Sequence, residues 1–430
     1  MNDSNQPKNY EAVLGNQVTP PVNGIVLEEI ESAKTRLSSS DIKIRIAALS
    51  EALNYGDAGL DLVIQALQDS SNQFKRAAYW LLRKREEEKV KQALQKYKPW
   101  HLEERLQRYS GYRGDHVSIF ANRQVIDFTP EVGITDPVGT AYALRCTFKS
   151  EHDEAESAID KLTKLLQHPQ ANKIEALIIG AWSREVTDDS SSAIIEALVA
   201  AQEKLTNLKA LFIGDIHYEE SEISWILQSD IIPILQAYPN LEMLQVRGGT
   251  GLAFSPVQHD NLEALIVETG GLNPDTIAQI CTCYFPRLTH LELWLGSAEY
   301  GGHSSIDDLR PILIEPVFPN LIYLGLRNST YSNDIAKTVI NSPLINSIQI
   351  LDLSMGTLTD TGADILLKRP EVRQLDILNI SENYLSDEKV ALLSLQESRG
   401  NFNVHIMTNE QKNDEDYGGE EASRHCSVTE

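Results

Sequence analysis

Leu375-Asp-Ile-Leu-Asn-Ile-Ser-Glu-Asn-Tyr-Leu385 sets Leu375, Leu378 and Ile380 in the order leucine, two residues, leucine, one residue, leucine, with Asn383 and Leu385 following. Equivalent triplets begin at Ile174, Leu208, Leu241, Leu262, Leu288, Leu321 and Ile348, so successive copies start 21 to 34 residues apart. Each triplet is short, apolar and alternating, as a strand with one buried face is, and the spacers carry apolar residues at helical spacing. A unit of one strand and one helix cannot bury its leucines alone. Neighbours must stack, laying their strands side by side in a parallel sheet. The chain therefore reads as α/β, a solenoid with parallel strands inside and helices outside.

The joints repeat one device. Tyr238-Pro239-Asn240-Leu241, Phe285-Pro286-Arg287-Leu288 and Phe318-Pro319-Asn320-Leu321 each close a helix on an aromatic residue, then a proline, then enter a strand. Proline cannot continue a helix and pushes the preceding residue toward extended geometry. The aromatic ring is expected to pack under the turn.

These features resemble leucine-rich repeats of the long, ribonuclease-inhibitor-like kind, best in Leu353–Leu367 (LSMGTLTDTGADILL) and Ile380–Leu395 (ISENYLSDEKVALLSL). The resemblance implies that Asn383 uses its side-chain amide to satisfy backbone groups of adjacent coils. Gly249, Gly270, Gly296 and Gly356 stand at the corresponding position elsewhere, where glycine permits a positive φ but offers no such amide. The segments Leu211-Phe-Ile-Gly-Asp-Ile216 with Glu222-Ile-Ser-Trp-Ile226, Val246-Arg-Gly-Gly-Thr-Gly-Leu252, and Leu291-Glu-Leu-Trp-Leu-Gly296 with Glu299-Tyr-Gly-Gly302 are similar to a family of intracellular bacterial leucine-rich-repeat proteins. That likeness carries no activity with it. It implies a leading strand over Tyr142–Phe148, a helix over Glu154–Leu166, and a leucine-rich-repeat domain over 141–407.

Residues 25–105 read differently, as paired helices near Val26–Leu37, Ile42–Leu53, Leu60–Leu67, Gln73–Lys84 and Glu86–Tyr97. Ser40 with Asp41, and Asp69 with Ser70 and Ser71, supply helix starts. Ile44-Arg45-Ile46-Ala47-Ala48 recurs as Phe74-Lys75-Arg76-Ala77-Ala78. This resembles HEAT-type helical repeats, including the short variety first associated with phycobilisome lyases. The resemblance implies closely packed alanine pairs, a basic residue bonded to a neighbouring loop, and, as one functional reading, action on a pigment-protein assembly. Residues 106–140 read as a connector with a short strand at Gln124–Phe128. Residues 1–24 and the acidic tail 408–430 are expected to be disordered on composition.

Composition bounds the function. The 430 residues are 42% hydrophobic and 23% charged, with 38 Lys plus Arg against 62 Asp plus Glu and a net charge of −24. Residues 25–105 are close to neutral, so the acidity lies in the remainder. Lys75–Lys98 holds nine basic and three acidic residues, but the overall charge repels phosphate, and neither aromatic interleaving nor a nucleic-acid module accompanies the stretch. No nucleic-acid partner is expected. No apolar run of about 18 residues is present, and the start MNDSNQPKNYEAV lacks the basic and apolar parts of a secretion signal. No membrane partner is expected, and the protein reads as cytoplasmic. The four cysteines, Cys146, Cys281, Cys283 and Cys426, are too few for a disulfide scaffold, and Cys281-Thr-Cys283 lacks two further zinc ligands at a recognisable spacing.

The strand residues alternating with the buried leucines should line the concave face. They run from Ala176, Ile178, Ala210 and Phe212, expected under the N-terminal module, to Met243, Gln245, Arg247, Glu268, Glu292, Trp294, Tyr323, Arg327 and Asp352. These nine are the expected contact with a protein partner, a mixed apolar, aromatic and charged surface. On that reading Trp294→Ala with Arg327→Ala abolishes capture and leaves thermal unfolding unchanged. The alternative site is the acidic strand-end edge, Asp215, His217, Glu219 and Glu299, able in principle to hold a divalent metal or small ligand or to act as acid and base. Its spacings match no metal signature, Arg247-Gly-Gly-Thr-Gly251 lacks the lysine of a P-loop, and no serine stands in a nucleophile elbow. The expectation is a non-enzymatic interaction scaffold or adapter, with no cofactor, no metal and no catalytic set.

Overall fold

The computed structural model describes residues 22–83, 85–97, 102, 104–107, 115–146, 156–183, 186–399, 404–413 and 424–429. Most of the expected disordered N-terminus, and residues 414–423 of the tail, lie outside them. The chain divides into two compact units, Met1–His101 and Leu102–Glu430. Arg105 therefore belongs with the second unit, ahead of the expected 105/106 boundary.

The first unit is helical: α1 Val22–Leu37, α2 Ile42–Ala52, α3 Gly56–Ala66, α4 Asn72–Leu82 and α5 Glu88–Lys96. Asp41 caps α2 by accepting from the Lys43 amide at 2.8 Å, and Ser71 caps α4 by accepting from Phe74 at 3.3 Å. Within each alanine pair only the second member, Ala48 and Ala78, is buried. Ala78 shares a core with Leu49, Leu60, Val63, Phe74, Leu82 and Val90. Arg45 lies 4.0 Å over the Phe74 ring, donates to the Leu37 carbonyl at 2.9 Å and pairs with Asp69 in the α3–α4 loop. Arg45, the basic residue in the first copy of the phrase, thus ties one helix pair to the next.

The second unit is built on one twelve-stranded sheet whose spatial order is its sequence order. The strands are β1 Ile119–Phe120, β2 Arg123–Asp127, β3 Thr140–Leu144, β4 Ala176–Ile179, β5 Ala210–Ile213, β6 Met243–Arg247, β7 Ala264–Glu268, β8 His290–Gly296, β9 Tyr323–Ser329, β10 Ile350–Asp352, β11 Ile377–Asn379 and β12 His405–Met407. β1 and β2 are antiparallel, and every later pair is parallel. The eight triplets supply β4 to β11, and the sheet extends past them at both ends.

Helices α6 Glu104–Gln107, α7 Ala158–Leu165, α8 Ser192–Ala200, α9 Ile232–Ala237, α10 Pro274–Thr282, α11 Arg310–Leu313, α12 Ser332–Val339, α13 Asp360–Lys368 and α14 Asp387–Ser398 complete the unit. Leu177, Leu211, Leu244, Leu265, Leu291, Leu324, Leu351 and Leu378 form one core with Leu162, Leu198, Leu235, Ile277, Ile335, Leu366 and Leu393 of the helices. Among the described residues no helix is long and apolar enough to cross a membrane.

Tyr238, Phe285 and Phe318 are buried at the joints, the last two with rings stacked at 6.2 Å. Asn383 accepts from the Leu358 amide at 2.8 Å and donates to the carbonyls of Leu353 and Ser381, both at 2.9 Å. Removing a fully buried amide with three bonds leaves backbone groups unpaired at about 1–3 kcal/mol. Asn383→Ala is therefore expected to lower the urea midpoint by a loss of that size, and an unchanged midpoint refutes the role. Of the four glycines at the corresponding position, only Gly296 takes a positive φ, of 69°. Gly270 is needed for close approach instead, since a Cβ there would lie 2.3 Å from the Thr429 carbonyl oxygen.

Candidate functional site

Strand alternation and parallel register bring all nine predicted residues to the sheet face opposite the main helical core. Arg247 pairs in register with Glu268, and Trp294 with Arg327. Yet the structure corrects the expectation of an open surface. Met243, Gln245, Arg247, Glu268, Glu292, Trp294, Tyr323, Arg327 and Asp352 are all 5% exposed or less.

The chain itself covers this face. Leu102, Val117, Phe120 and Ala121 pack on Ala176, Ile178, Ala210, Phe212, Met243 and Ile266, with the Phe120 and Phe212 rings 5.9 Å apart. The early apolar members are thus buried as expected, and the cover is Leu102, Val117, Phe120 and Ala121, which belong to the same unit as the sheet. Val117 also donates its amide to Asp215 at 3.1 Å.

Beyond the apolar part, the buried charges alternate in sign across the sheet. Arg145 joins Asp127 and Asp215, each at 2.5 Å. Arg247 lies 3.7 Å from Asp215 and donates to Glu268 at 2.9 Å, and Gln245 donates to the same carboxylate at 2.9 Å. Arg105, from α6, reaches Glu268 at 2.8 Å and Glu292 at 2.5 Å. Glu292 also accepts from Arg327 at 2.9 Å and from the Trp294 indole at 2.8 Å. Arg327 donates to Ser354 at 3.0 Å and lies 3.7 Å from Asp352, which accepts from Tyr323 at 2.8 Å and Asn379 at 3.0 Å.

The ionisation states follow from this arrangement. Burial alone would raise the Glu292 carboxyl, but Arg105 and Arg327 outweigh it and hold the group well below its ordinary range. Burial likewise opposes charge on Arg105, and Glu292 with Glu268 reverses that, raising the guanidinium further. Tyr323 is pushed well above its ordinary value by burial and then by Asp352 and Glu292, so its hydroxyl remains a donor. Arg105 was one of the members that the sequence reading missed, with Arg145, Asp127 and Ser354. The signal was present: Glu268 and Glu292, on one face of adjacent strands, repel each other unless a cation bridges them.

The acidic edge is less converged. Asp215 is spent inside the charge ladder, whereas Glu219 and Glu299 are exposed. His217 lies 3.4 Å from Asp115, and His116 lies 3.2 Å from Glu220. Burial raises the Glu220 carboxyl, and His116 with the His217 amide more than offsets this. Among the described residues no group of three or more His, Cys, Asp or Glu is placed to hold a metal ion. A separate polar cleft of about 530 Å³ is lined by Asp360, Tyr384, Asp387, Glu388, Lys412 and Arg424, among others. Burial lowers the Lys412 amine to about 8.

Residues 424–429 depart from the expected disordered tail, since Cys426 and Val428 are buried and the segment lies across the strand ends. No protein-family model and no curated protein matches the chain. Among solved structures it is similar to a Bacteroides fragilis protein whose crystal structure was a Northeast Structural Genomics Consortium target. The two are 29% identical with a TM-score of 0.53, and the match covers 64% of this chain and 72% of that one.

Proposed function

We propose that this chain is a leucine-rich-repeat solenoid preceded by HEAT-like helices, acting as a non-enzymatic scaffold or adapter that binds a protein partner on the concave sheet face. The reading rests on one observation above all: that face already holds polypeptide, the chain's own Leu102, Arg105, Val117, Phe120 and Ala121, through apolar packing and one arginine shared by two carboxylates. A surface that seats Leu102, Val117, Phe120 and Arg105 is chemically suited to a partner segment offering apolar side chains and a guanidinium. The similar Bacteroides fragilis structure supports a bacterial origin, and a sequence with only four cysteines suits a reducing cytoplasm.

On this reading Leu102, Arg105, Val117 and Phe120 compete with the partner. Immobilised full-length Phe120→Ala, checked for wild-type circular dichroism, should retain a protein from extract of its own source several-fold better than wild type. The retained protein, once purified, should bind at 1:1 stoichiometry in calorimetry. Equal, null retention by both chains overturns the proposal. It does so in favour of the acidic edge if magnesium, calcium or manganese raises the melting temperature of wild type but not of Asp215→Asn with Glu299→Gln.

A further inference from the structure

The C-terminal residues 424–429 are held at the ends of the strands in the manner of a bound peptide. Val428 donates its amide to the Asn328 side-chain oxygen at 2.9 Å, and the Asn328 amide nitrogen donates back to the Val428 carbonyl at 2.5 Å. One side chain thus reads both backbone groups of one residue. Ser427 donates its amide to the Met355 carbonyl at 2.8 Å. The Tyr384 hydroxyl accepts from the His425 amide at 3.2 Å, Lys412 donates to the His425 carbonyl at 2.8 Å, and Ser224 donates to the Thr429 carbonyl.

These contacts recognise main chain, which any extended sequence offers. Side-chain selection comes from alternation: Cys426 and Val428 point inward and are 1% and 3% exposed, while Ser427 between them is exposed. Backbone bonds for affinity and pockets for alternate side chains are how grooves bind extended peptides. Val428 joins the main core of the sheet unit, and Gly270 leaves room for the Thr429 carbonyl.

The groove is shaped from consecutive strands. Asn328, Met355 and Glu382 stand at matching positions just past Gly325, Asp352 and Asn379, which are in register, and each takes a left-handed φ, of 52°, 67° and 52°. For residues other than glycine this conformation costs on the order of 1–3 kcal/mol each, and such strain collects at ligand-binding sites. Here it accompanies the Asn328 amide bonded to Val428 and the Met355 carbonyl bonded to Ser427.

We propose that this strand-end groove is a peptide-binding site, occupied in this structure by the chain's own C-terminal residues and able to take, in their place, an extended segment of a partner protein with a small or β-branched apolar residue at every second position. The site lies on the strand ends rather than on the face covered by Leu102, Val117, Phe120 and Ala121, so this proposal and the one above fail separately. Tethering gives the resident tail an effective concentration of about a millimolar. A competitor in solution must therefore either match that or meet a chain whose tail has been weakened.

The test uses the full chain and a fluorescent synthetic copy of residues 424–430. Val428→Asp, which puts a charge into the apolar pocket and frees the groove, should bind the peptide saturably by anisotropy and at least about tenfold more tightly than wild type, whose own tail competes. Adding Asn328→Gly, which tolerates the left-handed φ but removes the amide, should abolish that binding. In wild type the buried Cys426 thiol, raised by burial to about 11, should be alkylated faster as unlabelled peptide with alanine in place of its own cysteine is added to about a millimolar and above. Absence of saturable binding to a folded Val428→Asp chain overturns the proposal, as does equal binding after Asn328→Gly. If Val428→Asp does not fold, a Cys426 alkylation rate in wild type that ignores added peptide overturns it equally.

Discussion

Arg105→Ala is expected to lower the stability of the sheet unit by about 3–5 kcal/mol, the cost of removing one partner from a buried ion pair. Arg105 is 4% exposed, and the two carboxylates it joins, Glu268 and Glu292, are fully buried on neighbouring strands. Without it Glu292 keeps Arg327 and Glu268 keeps Arg247, but the two acids face each other with no cation between them. A shift of the urea midpoint, followed by circular dichroism at pH 7, reports the loss. Arg105→Lys should lose less, since it keeps the charge but not the planar fork that spans both acids.

The pH dependence fixes the cause. In wild type the Glu292 carboxyl is depressed below its ordinary 4.5, so the stability it contributes is present above that value and is lost as pH falls through the folded-state value. In Arg105→Ala the folded-state value of Glu292 rises. Protonation then relieves the repulsion, and the difference between variant and wild type narrows on acidification. A midpoint unchanged at pH 7, or a difference that widens in acid, rules out this account.

Trp294→Ala with Arg327→Ala is expected to unfold the sheet unit early rather than remove a contact cleanly. Arg327 is paired with Glu292 and Asp352 and lies 5.3 Å over the Trp294 ring. Truncating a buried tryptophan costs about 3–5 kcal/mol, and stripping one partner from a buried pair costs a similar amount. Because the two side chains touch and share Glu292, the double variant should fall short of the sum of the singles. Even one such loss is a large part of the 5–15 kcal/mol that typically separates folded from unfolded chains. A double variant with wild-type thermal unfolding would restore the open surface that the leucine spacing suggested.

The contrast between those two expectations for Trp294 and Arg327 marks what could be read from residues alone. Alternation in each triplet was enough to sort Leu291 and Leu293 to one face and Glu292 and Trp294 to the other, because side chains in a strand alternate whatever surrounds them. The aromatic-proline joints, the Asp41 and Ser71 helix starts, and the tie between Arg45 and the next helix pair were legible for the same reason: each is decided within a few residues or by a short repeat. Gly249, Gly270 and Gly356 were misread because their need is for space, and the atoms that take the space are set by distant segments.

What the sequence determined by itself was the strand-and-helix alternation, the face each strand residue occupies, the in-order parallel pairing of β4 to β11 and a separate helical unit before it. What only the tertiary structure decided was occupancy. Arg105 meets Glu292 across 187 positions and Val428 meets Asn328 across 100, so whether a face or a groove is open depends on contacts that no local spacing encodes. A leucine pattern dictates which side chains turn away from the helices, since that follows from backbone geometry, whereas the segment that lands on them is chosen by the free energy of burying charge against charge and apolar surface against apolar surface over the whole folded unit.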